Sequence, residues 1–116
     1  MPSNLPIRML FEPQRSLAFG AIGVGYMGVG TAVNNPIRQF LIQNLTDVTL
    51  QFSFNGIDDH FPLPSNGFFL SDVMSNKSDQ VGGFFLSQGD RLYVKQLGVP
   101  TLGAVYFSVI YGRDVA

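Results

Sequence analysis

Residues 48–54 alternate without a break, with Val48, Leu50, Phe52 and Phe54 on one side and Thr49, Gln51 and Ser53 on the other. A period of two belongs to a strand with one buried face, and a helix cannot satisfy it. Asn55-Gly56 follows at once, a dipeptide that accepts the positive φ of a tight turn. A single hairpin is marginal in water, so such a strand needs further partners.

The rest of the chain supplies them at short, regular spacing. Residues 37–45 form a β-rich run between Pro36 and Thr46-Asp47. Pro62 and Pro64 confine residues 60–64 to a sheet edge or a loop, because neither can donate a ladder hydrogen bond. Asn66-Gly67 turns the chain again, and Phe68, Phe69 and Leu70 are expected to re-enter the core. Residues 75–83, SNKSDQVGG, are the most polar stretch and read as a solvated loop. After a turn at Gln88-Gly89-Asp90, Arg91, Tyr93 and Lys95 alternate with Leu92 and Val94.

Gly98, Pro100 and Gly103 shape the last turn, and residues 104–111 close the series. There Val105, Phe107, Val109 and Tyr111 oppose Tyr106, Ser108 and Ile110. This final strand is apolar on both faces, as suits a central strand or one packed on a partner. No run has the period of a helix. Seven or eight short antiparallel strands define an all-β fold, an antiparallel β-sandwich that is jelly-roll or immunoglobulin-like in outline.

Composition now matters. Charged residues make up 13% of the chain, about half the ~25% usual for a soluble domain. A lone β-domain needs more charge to solvate its surface and to stop its sheet edges from pairing with neighbours. The deficit implies that part of the surface meets protein, and the chain reads as one subunit of a larger assembly. Its 116 residues suffice for one core. With no cysteine, disulfides, thiolate metal sites and thiol nucleophiles are excluded together. A net charge of −1 gives no electrostatic pull toward nucleic acid or an anionic membrane.

The N-terminal MPSNLPIRMLFEPQR has no basic stretch followed by an apolar run, and Pro2, Pro6 and Pro13 interrupt it. It does not read as a secretory signal. The spacings Asn44-Leu45-Thr46 and Asn76-Lys77-Ser78 match glycosylation sequons, which without a secretory route are coincidental.

Residues 17–33, LAFGAIGVGYMGVGTAV, are uncharged and carry glycine at 20, 23, 25, 28 and 30. The run is short for a bilayer, and its glycines weaken any helix. Within it Gly23-Val24-Gly25-Tyr26-Met27-Gly28 spells G-x-G-x-x-G. That motif binds a pyrophosphate only when a helix N-terminus follows, and here the chain runs through Gly30 to Pro36 instead. The better reading is an extended segment whose glycines let another backbone approach or absorb bends. Residues 1–36 are therefore expected to be an N-terminal arm or added strand, with residues 37–116 the sandwich domain.

Candidate chemistry is thin. Asp58-Asp59-His60 is the one cluster of metal-ligand types, and adjacent residues in an extended chain point to opposite sides. A metal would need a third ligand such as Asp72, Asp79 or Asp90 from elsewhere, so a polar turn is the expectation. Ser53 lies mid-strand, where nothing activates it as a nucleophile. Tyr93 between Arg91 and Lys95 has the pattern of a stacking platform, but two cations are too few for a nucleic-acid groove. The expectation is no enzyme, with no catalytic residues, no cofactor and no metal.

From Arg38 to Gly112 the segments IRQFLIQNLTDVTLQFSFNG, DHFPLP, GDRLYVKQLG and TLGAVYFSVIYG, taken in that order, resemble small β-sandwich virion proteins of tailed bacteriophages. The resemblance implies a structural role: a capsid decoration or cement protein, or a head–tail junction or tail ring protein. The partners it implies are the major capsid protein, other virion proteins and further copies of the chain. The place it implies is the virion, assembled in the host cytoplasm. A carbohydrate- or receptor-binding sandwich module is the alternative of a different class.

Overall fold

The computed structural model describes residues 7–35, 37–72 and 89–114. Its strands are β1 (Ile7–Phe11), β2 (Arg15–Ala18), β3 (Met27–Gly28), β4 (Ile37–Asn44), β5 (Leu50–Ser53), β6 (Phe61–Leu63), β7 (Phe68–Asp72), β8 (Tyr93–Gln96) and β9 (Ala104–Asp114). Among the described residues the sole helical piece is a single 3-10 turn at Phe19–Ala21. The loop expected over 75–83 lies outside the described residues.

The pairing is nested. β1 and β2 both pair with β9, β3 with β8, β4 with β7 and β5 with β6, all antiparallel. The chain is thus one long hairpin turning at residues 54–60. It is rolled up by two further antiparallel pairings, β4 with β9 and β5 with β8. The result is two sheets, β1/β2-β9-β4-β7 (sheet A) and β3-β8-β5-β6 (sheet B). With β1 and β2 counted as one interrupted strand, this is an eight-stranded jelly roll, one of the two sandwich outlines the sequence allows.

Between the sheets the core gathers the alternating residues. Phe40 and Ile42 of β4 and Val105, Phe107 and Val109 of β9 face Leu50 and Phe52 of β5 and Val94 of β8, all fully buried. Phe40 meets Phe54, Phe69 and Phe107 edge-on, with centroids 5.8–6.1 Å apart. Of Phe68, Phe69 and Leu70, Phe69 alone turns inward, whereas Phe68 and Leu70 are 65% and 60% exposed. The expectation that all three re-enter the core is corrected by the period of two: on an edge strand their neighbours must face out.

The N-terminal segment also departs from expectation. Residues 7–35 are built into the sandwich as strands of both sheets, and Ile22, Val29 and Val33 lie in its core. A boundary at residue 36 therefore does not separate an arm from a body. The break between β1 and β2 is a bulge, where residues 12–14 oppose the two residues 108–109 of β9. Pro13 has no N–H to give the ladder there, while the Glu12 N–H still reaches the Val109 carbonyl at 3.0 Å.

A buried ion pair closes that bulge. Arg15 Nη2 donates to Glu12 Oε1 at 2.7 Å, with both side chains at most 5% exposed. Arg15 also donates to the carbonyls of Thr31 and Ala32, and Glu12 accepts from the Asn34 N–H and the Asn35 amide. Each charge is compensated, which a buried pair requires. Gly30 makes room for it: its φ is +69°, and a Cβ there would lie 2.7 Å from the Arg15 side chain.

Candidate functional site

The three regions that the sequence marks for chemistry meet on the outer side of sheet B. β8 places Tyr93 and Lys95 on that side, opposite Ser53 and Gln51 of β5. The 54–60 loop then folds back over them. Ser53 Oγ accepts from the Gly56 and Asn55 N–H groups, and Asn55 Oδ1 accepts from those of Ile57 and Asp58. This is the local capping that Ser and Asn favour at turns, and it seats Gly56 against the Tyr93 ring.

Every charged group of the region has a partner in the chain. Asp59 takes the Tyr26 hydroxyl at 2.5 Å and Lys95 Nζ at 3.0 Å. Lys95 Nζ in turn stands 4.8 Å from the centroid of the Tyr26 ring. Burial, and then the bond to Asp59, push the Tyr26 hydroxyl above its ordinary value. The Tyr26 hydroxyl and then Lys95 hold the Asp59 carboxyl below its own. Arg91 lies over Tyr93, donates to the Gly30 carbonyl at 2.7 Å and packs where a Cβ of Gly28 would be.

Arg91, Tyr93 and Lys95 thus fasten the glycine-rich segment to the sheet instead of offering a stacking platform. Tyr26, the residue that couples them, was missed at the sequence level, because its only signal was an aromatic among glycines. Gly20, Gly23 and Gly25 have open space around them, so the close approach expected of the glycines applies at Gly28 and Gly30 and is made by arginine side chains. Beyond Gly28 the chain forms a buried core position, Val29, with no helix at the end of the G-x-G-x-x-G match.

Asp58, Asp59 and His60 diverge. Asp58 accepts from the Asn55 amide, Asp59 faces Tyr26 and Lys95, and His60 Nδ1 accepts from the Phe54 N–H at 3.0 Å. Among the described residues no three His, Asp or Glu side chains come together as metal ligands would; Asp79 lies outside them. Ser53 is wholly buried in its turn. Asn44 is fully buried too, its amide donating to the carbonyls of Val48, Leu63 and Pro64, so no glycan can attach there. No helix among the described residues is long and apolar enough to cross a membrane.

Two surfaces remain. A cleft of about 490 Å³ opens where the edge strands of the two sheets meet, lined by Phe54, His60, Phe61, Pro62, Leu63 and Phe69. His60 is the only polar side chain in that lining. The hydroxyls of a sugar would find few partners, since such sites need several convergent polar groups.

The other surface is the outer side of sheet A, read from the register as three rows. Ser16, Tyr106, Gln43 and Phe68 lie across the strands in the first, Gln14, Ser108, Leu41 and Leu70 in the second, and Phe11, Ile110, Gln39 and Asp72 in the third. Asp72, at the β7 end of the third row, is the one charged residue in these rows, and Arg38 lies at the bulge in β4. Phe11, Phe68 and Leu70 are 70%, 65% and 60% exposed.

Comparison with known proteins returns no match, either to a protein-family model or to a curated protein. The resemblance to phage virion proteins therefore rests on its sequence segments alone.

Proposed function

We propose that this protein is a non-enzymatic structural subunit that works by assembling with other protein surfaces. Following the resemblance, the assembly is the virion of a tailed bacteriophage, where the protein bridges neighbouring subunits of the capsid. A head–tail junction or tail ring is the nearest alternative within that role. One observation carries the reading: a complete sheet face, four strands wide, with exposed Phe11, Phe68 and Leu70 and a single charge, Asp72, at the end of one row. Large exposed apolar side chains gathered on one face and set among polar ones mark protein contacts. The polar chemistry supports the same reading, since the charges on sheet B are spent within the chain.

The test is quantitative mass spectrometry of purified particles. A fixed copy number per particle is expected, in the hundreds for a capsid cement and about six to twelve for a junction or ring. Absence of the protein from mature particles would remove the virion reading.

A further inference from the structure

We infer that the outer face of sheet A binds a second copy of this chain, so that two sandwiches pack sheet to sheet around a two-fold axis. This rests on reading that face as an assembly surface and goes further by naming its occupant.

The first argument is charge. A face whose rows hold one charge, Asp72, asks for no strongly charged partner, and two copies of it meet with little repulsion. With a net charge of −1, the chain as a whole also opposes self-association little. Asp72 at the β7 end of the third row and Arg38 at the β4 bulge both lie at the margin of the face.

The second argument is the chemistry of the polar groups in the rows: Gln14, Gln43, Ser16, Ser108 and Tyr106. Amides and hydroxyls each carry a donor and an acceptor. The same group on a symmetry-related copy can therefore satisfy them, which a two-fold interface demands of its own patch.

The third is area. An aromatic side chain buries about 150–250 Å² when covered. At 70% and 65% exposure, Phe11 and Phe68 together offer roughly 200–330 Å². That is about a third of the ~800 Å² per partner of a standard stable interface, before Leu70, Leu41, Tyr106 and Ile110 are added. Sheets that pack face to face in this manner form the ordinary core of a sandwich.

Sedimentation equilibrium of the full chain tests the proposal, alongside Leu70→Lys. Leu70 is exposed, so the variant keeps its near-UV circular dichroism; its dimer is expected to weaken by tenfold or more, because a lysine is placed in an apolar contact. The protein has no cysteine, which permits a second measurement. Ser108→Cys at the centre of the face should be captured as a dimer by a short bis-maleimide, and Thr49→Cys, exposed elsewhere, should not. Dimers that ignore Leu70→Lys, or that are captured through Thr49→Cys alone, overturn the inference. So does a wild-type chain that stays monomeric at every concentration. In that last case, Leu70→Lys failing to enter particles leaves the broader reading standing, with a different partner on the same face; normal entry removes both.

Discussion

The outer faces of the two sheets solve the same problem in opposite ways. On sheet B the outward residues are Gln51, Ser53, Tyr93 and Lys95, and the chain covers them itself. The 54–60 loop lies over Tyr93, Asp59 reaches Lys95, and the glycine-rich segment is tied down through Tyr26, so that Gln51 and Ser53 end up buried. On sheet A the outward residues are apolar or uncharged apart from Asp72 at the β7 end of one row, and among the described residues nothing hides Phe11, Phe68 or Leu70. A polar face can be finished by local hydrogen bonds, because loops bring donors and acceptors with them. Exposed Phe11, Phe68 and Leu70 can be finished only by more apolar surface.

If both sheets share one core, the largest effect comes from removing the segment that joins them. Deleting residues 1–33 removes β1, β2, β3 and the core residues Ile22, Val29 and Val33. Loss of one buried aliphatic side chain down to alanine costs about 2–5 kcal/mol where the residue is Leu or Ile, against a total stability of about 5–15 kcal/mol. The truncated chain is expected not to fold, as read by amide dispersion in NMR. A folded 34–116 fragment would instead make the segment a true arm and confine the comparison to the remaining strands.

Next in size are single core residues, one from each sheet. Phe107→Ala in β9 and Phe52→Ala in β5 should each cost about 3–5 kcal/mol, since both rings are fully buried. Urea unfolding followed by far-UV circular dichroism checks the value. A single transition in both variants is expected; two separated transitions in either would mean that the sheets unfold independently, and that the contrast between their faces belongs to two units.

How far the sequence could be read follows the same division. Residues whose role is local and periodic were legible: the buried Leu50 and Phe52, Leu92 and Val94, and Val105, Phe107 and Val109 all follow from the period of two. Pro62 marked an edge, and β6 is the edge of sheet B. Illegible features depend on what arrives from far along the chain. Phe68 and Leu70 look like core residues until β7 is seen to be an outer strand of sheet A. Arg15 and Glu12 look like surface charges until the 31–35 backbone closes over them. Tyr26 has no local pattern at all, because its partners come from β8 and the 54–60 loop.

Matched substitutions on the two faces should separate their roles. Leu70→Lys is expected to change monomer stability by no more than about 0.5 kcal/mol, because its side chain is exposed, while dissociating assemblies. Lys95→Ala should do the reverse, leaving assembly intact and costing about 0.5–1 kcal/mol through the lost contact with Tyr26. Thermal unfolding paired with sedimentation reads both at once. Equal effects of the two variants on assembly would erase the distinction between the faces.

The smallest effect is a pH dependence confined to the polar face. Asp59 is held below its ordinary value by the Tyr26 hydroxyl and then by Lys95. A carboxyl depressed in the folded state leaves the unfolded chain binding more protons, so stability rises with pH through that window. The contribution is present above the unfolded value of about 3.9 and fades as pH falls through the lower folded value. Asp47, depressed by its bonds to the Thr101 hydroxyl and N–H, acts in the same direction. Asp59→Asn removes the group that titrates, so its melting temperature should depend less on pH below about 4 than that of the wild type, while Leu70→Lys, on the opposite face of the sandwich, should follow the wild-type slope. An Asp59→Asn profile that keeps the full slope would place the acid sensitivity elsewhere and strip sheet B of its electrostatic fastening.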